Sequence, residues 1–159
     1  MEESVMDAAG EQLLRISEAE RQIGTEKVDT AANYSPLVLA YMGDAVYELL
    51  IRNRIVRSGN RQVNKMHHEA VHYVKAATQA RLAQLLEAEL SEDERAVMKR
   101  GRNAHSNTMA KNASMIDYRM ATAFEALLGY LWLNDAQDRL SALVRTGLAR
   151  FEAEERGKQ

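Results

Sequence analysis

Residues 37–51, LVLAYMGDAVYELLI, form a helix-length run that is apolar on almost every side yet carries two carboxylates, Asp44 and Glu48. At helical spacing these acids lie on one face, one turn apart. A helix apolar all round is expected to be buried against several neighbours. An unpaired carboxylate in such a place costs several kcal/mol or takes up a proton. No Lys or Arg lies within the run, so a partner side chain, solvent in a cleft or a bound cation must answer the charge. A second run of the same kind, AFEALLGYLWL, holds Glu125 as its one charge. Two apolar helices, each with an acid near its middle, restrict the fold more than anything else in the chain.

The remaining signals are helical too. The 159 residues include a single Pro and few aromatics, and no stretch alternates as a half-buried strand does. One all-α domain is the expectation, burying roughly two-thirds of its unfolded surface. There is no Cys, which excludes disulfides and Cys-based zinc and suits a reducing cytoplasm. The acidic start, MEESVMDAAGEQ, has no basic segment followed by an apolar one, so no secretory signal is expected, and no apolar segment reaches membrane-spanning length. A net charge of −2 argues against coating nucleic acid by bulk charge, so any such role needs a local basic surface.

Residues 1–33 read as an N-terminal arm, in which Leu13, Leu14 and Ile16 could form a short helix; 34–155 is the main domain and 156–159 a tail. Ser35-Pro36 marks a helix start, with Ser35 as cap and Pro36 in the first turn. That helix is expected to stop at Ser58-Gly59-Asn60, with Gly59 in a left-handed closing conformation. A helical stripe of Val63, Met66, Ala70, Val71, Val74, Leu82, Leu85 and Leu86 extends to about Leu90, with a break near 76–78. Ser91 and Glu94 match a capping box for a short helix ended by Gly101. Residues 102–114, RNAHSNTMAKNAS, read as an exposed polar loop. Asp117 is the expected cap of the next helix, through Leu133, and a last helix covers 136–154 with Leu140, Leu143, Val144, Leu148 and Phe151 inward.

From pattern alone, Asp44 and Glu125 could face each other around a hard cation such as Mg²⁺; acids paired with arginines are the plainer alternative. The residues around them are more specific. YMGDAVYEL and TAFEALLGYLWL, with VNKMHHEA, KRGRNAHSNT and DYRMATAFEALLGYL in the same order, resemble the ribonuclease III catalytic domain, and most closely its Mini-ribonuclease III branch. The resemblance spans roughly 36–133. It implies a ribonuclease III endonuclease-domain helical bundle without a double-stranded-RNA-binding domain. It further implies a cytoplasmic homodimer that cuts both strands of double-stranded RNA, leaves 5′-phosphate and 3′-hydroxyl ends, and matures ribosomal RNA precursors.

Carried over by motif, Asp44 and Glu125 are the core catalytic acids and the ligands of Mg²⁺, for which Mn²⁺ can substitute. The longer enzymes have Glu four and seven positions before the Asp, where this chain has Ala40 and Leu37, and Asp three before the Glu, where it has Thr122. A single ion with its waters is therefore the expectation. Glu48 is assigned either a supporting role or a salt bridge. Lys99, Arg100, Arg102, Asn103, His105 and Lys111, with Ser106 and Asn107 between them and Lys65 elsewhere, mix cations and hydrogen-bond donors suited to RNA phosphates and 2′-hydroxyls. His68 and His72, one turn apart, lack a third zinc ligand. Met109, Met115 and Met120 are read as packing residues, and Trp132 with Tyr130 as core or subunit interface. Two other classes stay in view: a non-catalytic helical dimer that binds structured RNA, and a Mg²⁺-dependent nucleotide hydrolase.

Overall fold

The structure is a computed structural model and describes Ile23, residues 30–104 and residues 114–159. Among these residues there are helices and short 3₁₀ turns and no strand. The helices are α1 (Pro36–Arg57), α2 (Val63–Val74), α3 (Ala76–Leu86), α4 (Glu92–Asn103), α5 (Met115–Leu133) and α6 (Gln137–Gly157), with 3₁₀ turns at Ala31–Asn33 and Glu87–Glu89. No helix among the described residues is long and apolar enough to cross a membrane.

α5 is the axis of the bundle. It packs most extensively on α1, then on α4 and α3, and Ala121, Ala123, Phe124, Ala126, Leu127, Leu128, Leu131 and Trp132 are all buried. The expectation of a helix enclosed by several neighbours is met here. It is not met by α1, which buries Leu39, Val46, Tyr47, Ile51 and Ile55 on one side but leaves Leu37, Val38, Tyr41 and Leu49 exposed. The carboxylates of α1 thus stand at the edge of the core. Tyr47 anchors the buried side: its ring meets Phe124 edge-on at 5.2 Å, and its hydroxyl donates to the Tyr73 carbonyl at 2.8 Å.

Several local expectations hold. The Ser35 Oγ accepts from the Val38 amide with Pro36 in the first turn, and Ser91 and Glu94 form the reciprocal capping box. Gly59 has φ +143°, in the region L side chains rarely adopt. α6 buries all five of its expected core residues. Others are corrected by tertiary contacts. The break between α2 and α3 falls at Lys75, whose extended backbone ends one helix and caps the next.

Gly101 does not end α4. It lies inside the helix because a Cβ there would stand 3.0 Å from Ala123 Cα and Ala126 Cβ, so its bare backbone seats α4 on α5. Arg102 and Asn103 are accordingly helical rather than part of a loop. α5 is capped by Ser114, whose Oγ accepts from the Asp117 amide at 3.0 Å; Asp117 sits in the first turn, where a negative charge suits the helix dipole. Val63, Val71 and Met115 are exposed, not inward. The arm before residue 23, Met109 and most of the expected loop, 105–113, lie outside the described residues.

Candidate active site

Asp44 and Glu125 meet because two glycines remove the side chains that would hold their helices apart. A Cβ on Gly43 would lie 1.7 Å from the Glu125 carbonyl oxygen, and one on Gly129 would lie 1.9 Å from the Leu39 carbonyl oxygen. The pairing of Leu39 with Gly129 and of Gly43 with Glu125 makes the helices antiparallel. It also sets Asp44, next to Gly43, beside Glu125, one turn from Gly129.

The electrostatics record this closeness. Burial pushes the Glu125 carboxyl up to about 7, the Asp44 charge adds to the rise, and a hydrogen bond from Gln79 opposes it. Asp44 is also raised, by burial and then by the Glu48 charge. Glu48 itself is engaged by Arg52 just beyond the apolar run, through Nε at 3.1 Å and Nη2 at 3.0 Å. Arg52 is largely exposed, so this bridge is solvated and weak. Among the described residues no basic side chain lowers the Asp44 or Glu125 carboxyl in the same way.

Thr122 is buried and donates its hydroxyl to the Tyr118 carbonyl at 2.9 Å, tying itself to its own helix. No group of three or more His, Asp or Glu side chains suited to a metal is found among the described residues. That includes His68 and His72; the His72 Nε2 instead meets Glu155 at 2.5 Å. Two carboxylates are nonetheless a sufficient protein donor set for Mg²⁺, which keeps waters and takes oxygen from phosphate. Their mutual repulsion is what a bound cation relieves.

Of the expected RNA contacts, Lys99, Arg100, Arg102 and Asn103 are exposed toward the C-terminal end of α4. Lys99, Arg100 and Asn103 line an open cavity of about 530 Å³ with Ser35, Pro36 and Leu37 at the start of α1. Arg100 also donates from Nη1 to the Ala32 carbonyl at 3.4 Å. Lys65 is exposed on a different helix, in the first turn of α2, while His105 and Lys111 lie outside the described residues. Gln79 is the site residue that sequence reasoning passed over. A signal was present, since Gln79 precedes Leu82 and Leu86 by three and seven positions and therefore lies on the buried stripe of α3.

Comparison with known proteins agrees with this geometry. Residues 37–136 match the Ribonuclease III domain family. The Mini-ribonuclease 3 of Clostridium tetani is 46% identical over 119 residues, covering 74% of this chain and 79% of the relative. That of Brevibacillus brevis is 46% identical over 120 residues (76% and 90%), and that of Enterococcus faecalis 49% over 110 (68% and 83%). The crystal structure of a protein from Fusobacterium nucleatum superposes with a TM-score of 0.69 at 25% identity, covering 74% of this chain and 96% of the other. The helical fold, the paired acids and these relatives together show that the chain belongs to the ribonuclease III family, in its Mini-ribonuclease III branch, and is an endoribonuclease.

Proposed function

We propose that the protein is a Mg²⁺-dependent homodimeric nuclease that cuts double-stranded RNA, with Asp44 and Glu125 as its metal-binding and catalytic acids. The observation that carries this is the meeting of two carboxylates at a glycine-to-glycine helix contact, where both are held above their ordinary range. A carboxyl near 7 is half protonated at neutral pH, so Glu125 is poised to exchange its proton for a cation. When bound, the ion supplies Lewis-acid activation of water and charge stabilisation at phosphorus. Hydrolysis leaves a 5′-phosphate and a 3′-hydroxyl. Mn²⁺, with the same preference for carboxylate and water oxygen, is the expected substitute.

Lys99, Arg100, Arg102 and Asn103 hold the RNA backbone, in this reading, and Lys65 and the residues His105 and Lys111 extend the contact. With so few cations to neutralise phosphates, binding is modest, and because it rests on those charges it weakens as salt rises. The uncovered apolar face of α1, with Leu37, Val38, Tyr41 and Leu49 exposed, supports dimerisation. Asp44 lies within this stretch of α1, so a partner seated there would bring two sites together, one for each strand. Ribosomal RNA precursors as substrate and a cytoplasmic location rest on the family resemblance.

The test is cleavage of a long RNA duplex by the purified protein with and without Mg²⁺, beside Asp44→Asn and Glu125→Gln. Cutting that needs the ion and is lost in both variants is the expected result. Duplex cleavage surviving both substitutions overturns the assignment of the acids. An inactive parent that still retains the duplex indicates a binding scaffold.

A further inference from the structure

We propose that the basic end of α4 is a docking surface for the chain's own acidic N-terminal arm: residues 1–29 occupy Lys99, Arg100 and Arg102 until RNA displaces them. This rests on the reading of those cations as RNA contacts and adds a regulation of the same surface.

The charge of the chain is divided unevenly. Residues 1–29 hold eight Asp and Glu against three Lys and Arg, a net of −5, so the remaining residues carry +3 of the total of −2. The Ribonuclease III domain match begins at residue 37; these acids lie outside it and have no part in the proposed hydrolysis. Within the domain, carboxylates answer many of the arginines: Arg52, Arg54, Arg61, Arg81, Arg139 and Arg150 each meet a Glu. Lys99, Arg100 and Arg102 meet none among the described residues, and 96–116 contains no Asp or Glu. Three exposed cations within four positions repel one another, and a nearby anionic segment relieves that.

The arm joins the domain at this same place. Ala31 is buried in the 3₁₀ turn that precedes α1, and Arg100 Nη1 donates to the Ala32 carbonyl at 3.4 Å. Ser35, Pro36 and Leu37 then share the open cavity with Lys99, Arg100 and Asn103. The entry of the arm is thus pinned beside the cluster. A chain spans at most about 3.5 Å per residue, so Asp29 and Glu26 stay within about 20 Å of Ala31. Glu18 and Glu20 have the length to reach every part of the basic end of α4.

Tethering makes the contact effective although exposed ion pairs are individually weak and screened by salt. A segment joined beside its site acts at an effective concentration on the order of millimolar. A surface occupied by the arm about nine-tenths of the time weakens the apparent affinity for RNA about tenfold. Duplex RNA, a denser line of negative charge than the arm, overcomes this competition where a ligand with few phosphates does not.

The experiment uses the full-length protein in EDTA, with a spin label on Ser17→Cys; the chain has no other cysteine. Line broadening of the Lys99, Arg100, Arg102 and Asn103 amides is measured by nuclear magnetic resonance in this protein and in one that also carries Glu18→Gln, Glu20→Gln, Glu26→Gln and Asp29→Asn. Duplex RNA binding is measured for both arms, each with and without Lys99→Gln, Arg100→Gln and Arg102→Gln, and circular dichroism confirms the helical fold. The expected result is broadening that falls when the arm is neutralised and when duplex RNA is added. Neutralising the arm should tighten RNA binding about tenfold, and this gain should nearly vanish once the three cations are gone. Equal broadening with both arms shows that the arm does not dock, and a gain that persists without the three cations assigns the effect to bulk charge; either result overturns the inference alone. If removing the three cations leaves RNA binding of the neutralised-arm protein unchanged, the reading of α4 as an RNA contact fails and carries the inference with it.

Discussion

Gly43 and Glu125 touch through their main chains: a Cβ on the glycine would stand 1.7 Å from the Glu125 carbonyl oxygen and 2.6 Å from its carbonyl carbon. Backbone cannot yield as a flexible side chain can. Gly43→Ala therefore has to push α1 away from α5 along the contact that also holds the two acids together. We expect a loss of about 3 kcal/mol or more, above the usual cost of overpacking by one methyl, with Gly129→Ala similar because its Cβ would meet the Leu39 carbonyl oxygen at 1.9 Å. Urea denaturation followed by circular dichroism measures this. A neutral Gly43→Ala would show that the helices can part without penalty.

The acids themselves should oppose stability. In the metal-free protein Glu125 has its carboxyl raised from 4.5 to about 7, by burial first and by Asp44 second. Between these values the folded state binds more protons than the unfolded one, so stability falls as pH rises through the window from 4.5 to 7. Above it the loss reaches up to about 3 kcal/mol. Glu125→Gln should be more stable than the parent at pH 8 in EDTA, by up to that amount, and should flatten the decline. Activity is expected to vanish in the same variant. Saturating Mg²⁺ should raise the Tm of the parent and not of Glu125→Gln. A parent whose stability in EDTA is level across the window would contradict the perturbed carboxyl.

What could be read from the chain and what could not divide along the range of the interaction. Ser35-Pro36 and the Ser91–Glu94 capping box were legible because a cap joins residues three apart, whatever the rest of the molecule does. The α6 stripe was legible for the same reason. Gly101 was misread as a stop because its flanking residues match one; the reason it lies inside α4 is Ala123 and Ala126, on another helix. Ser114 and Asp117 both cap well, and the choice fell to the earlier residue, which gives α5 an extra turn. The exposure of Val63 and Val71 and the one-sided burial of α1 depend on which neighbours arrive. Asp44 and Glu125 stood out as charges in apolar runs, but their meeting depends on Gly43 and Gly129, and Gln79 was hidden among the polar residues of a mixed helix.

A second titration stabilises the fold rather than straining it. Glu94, buried in its capping box, receives Arg139 Nε at 3.0 Å and Nη2 at 2.9 Å, and the same guanidinium reaches the Glu89 carbonyl at 2.6 Å. The hydrogen bond from Arg139 holds the Glu94 carboxyl below its usual 4.5, with Ser91 assisting and burial opposing. Its contribution is present above that ordinary value and is lost as pH falls through the lower folded one. Arg139 is itself partly exposed, so Arg139→Ala should cost about 2 kcal/mol rather than the larger penalty of a fully buried pair. The difference from the parent should shrink on acidification below the ordinary carboxyl value. Denaturation at pH 7 and at pH 3 measures both parts, and an equal cost at the two would assign the loss to packing instead of charge.

The apolar face of α1 leads to the last expectation. Tyr41 is 83% exposed, and Leu37, Val38 and Leu49 are 40%, 48% and 42% exposed on the same helix. Aromatic side chains in the centre of an interface commonly contribute 2 kcal/mol or more to association. Tyr41→Glu removes that contribution and leaves a charge to be desolvated, so dimerisation should weaken at least about 30-fold. Tyr41 makes no part of the monomer core, and the helical signal and unfolding midpoint of the separated chain should be retained. Sedimentation of parent and variant at micromolar concentration reads the assembly directly. A parent that sediments as a monomer at that concentration removes the dimer, and with it the pairing of two sites across one duplex. A parent dimer unchanged by Tyr41→Glu would move the interface to another face. If the dimer dissociates as expected, the variant should bind duplex RNA more weakly, because each molecule then presents one basic cluster around Lys99 and Arg100 in place of two.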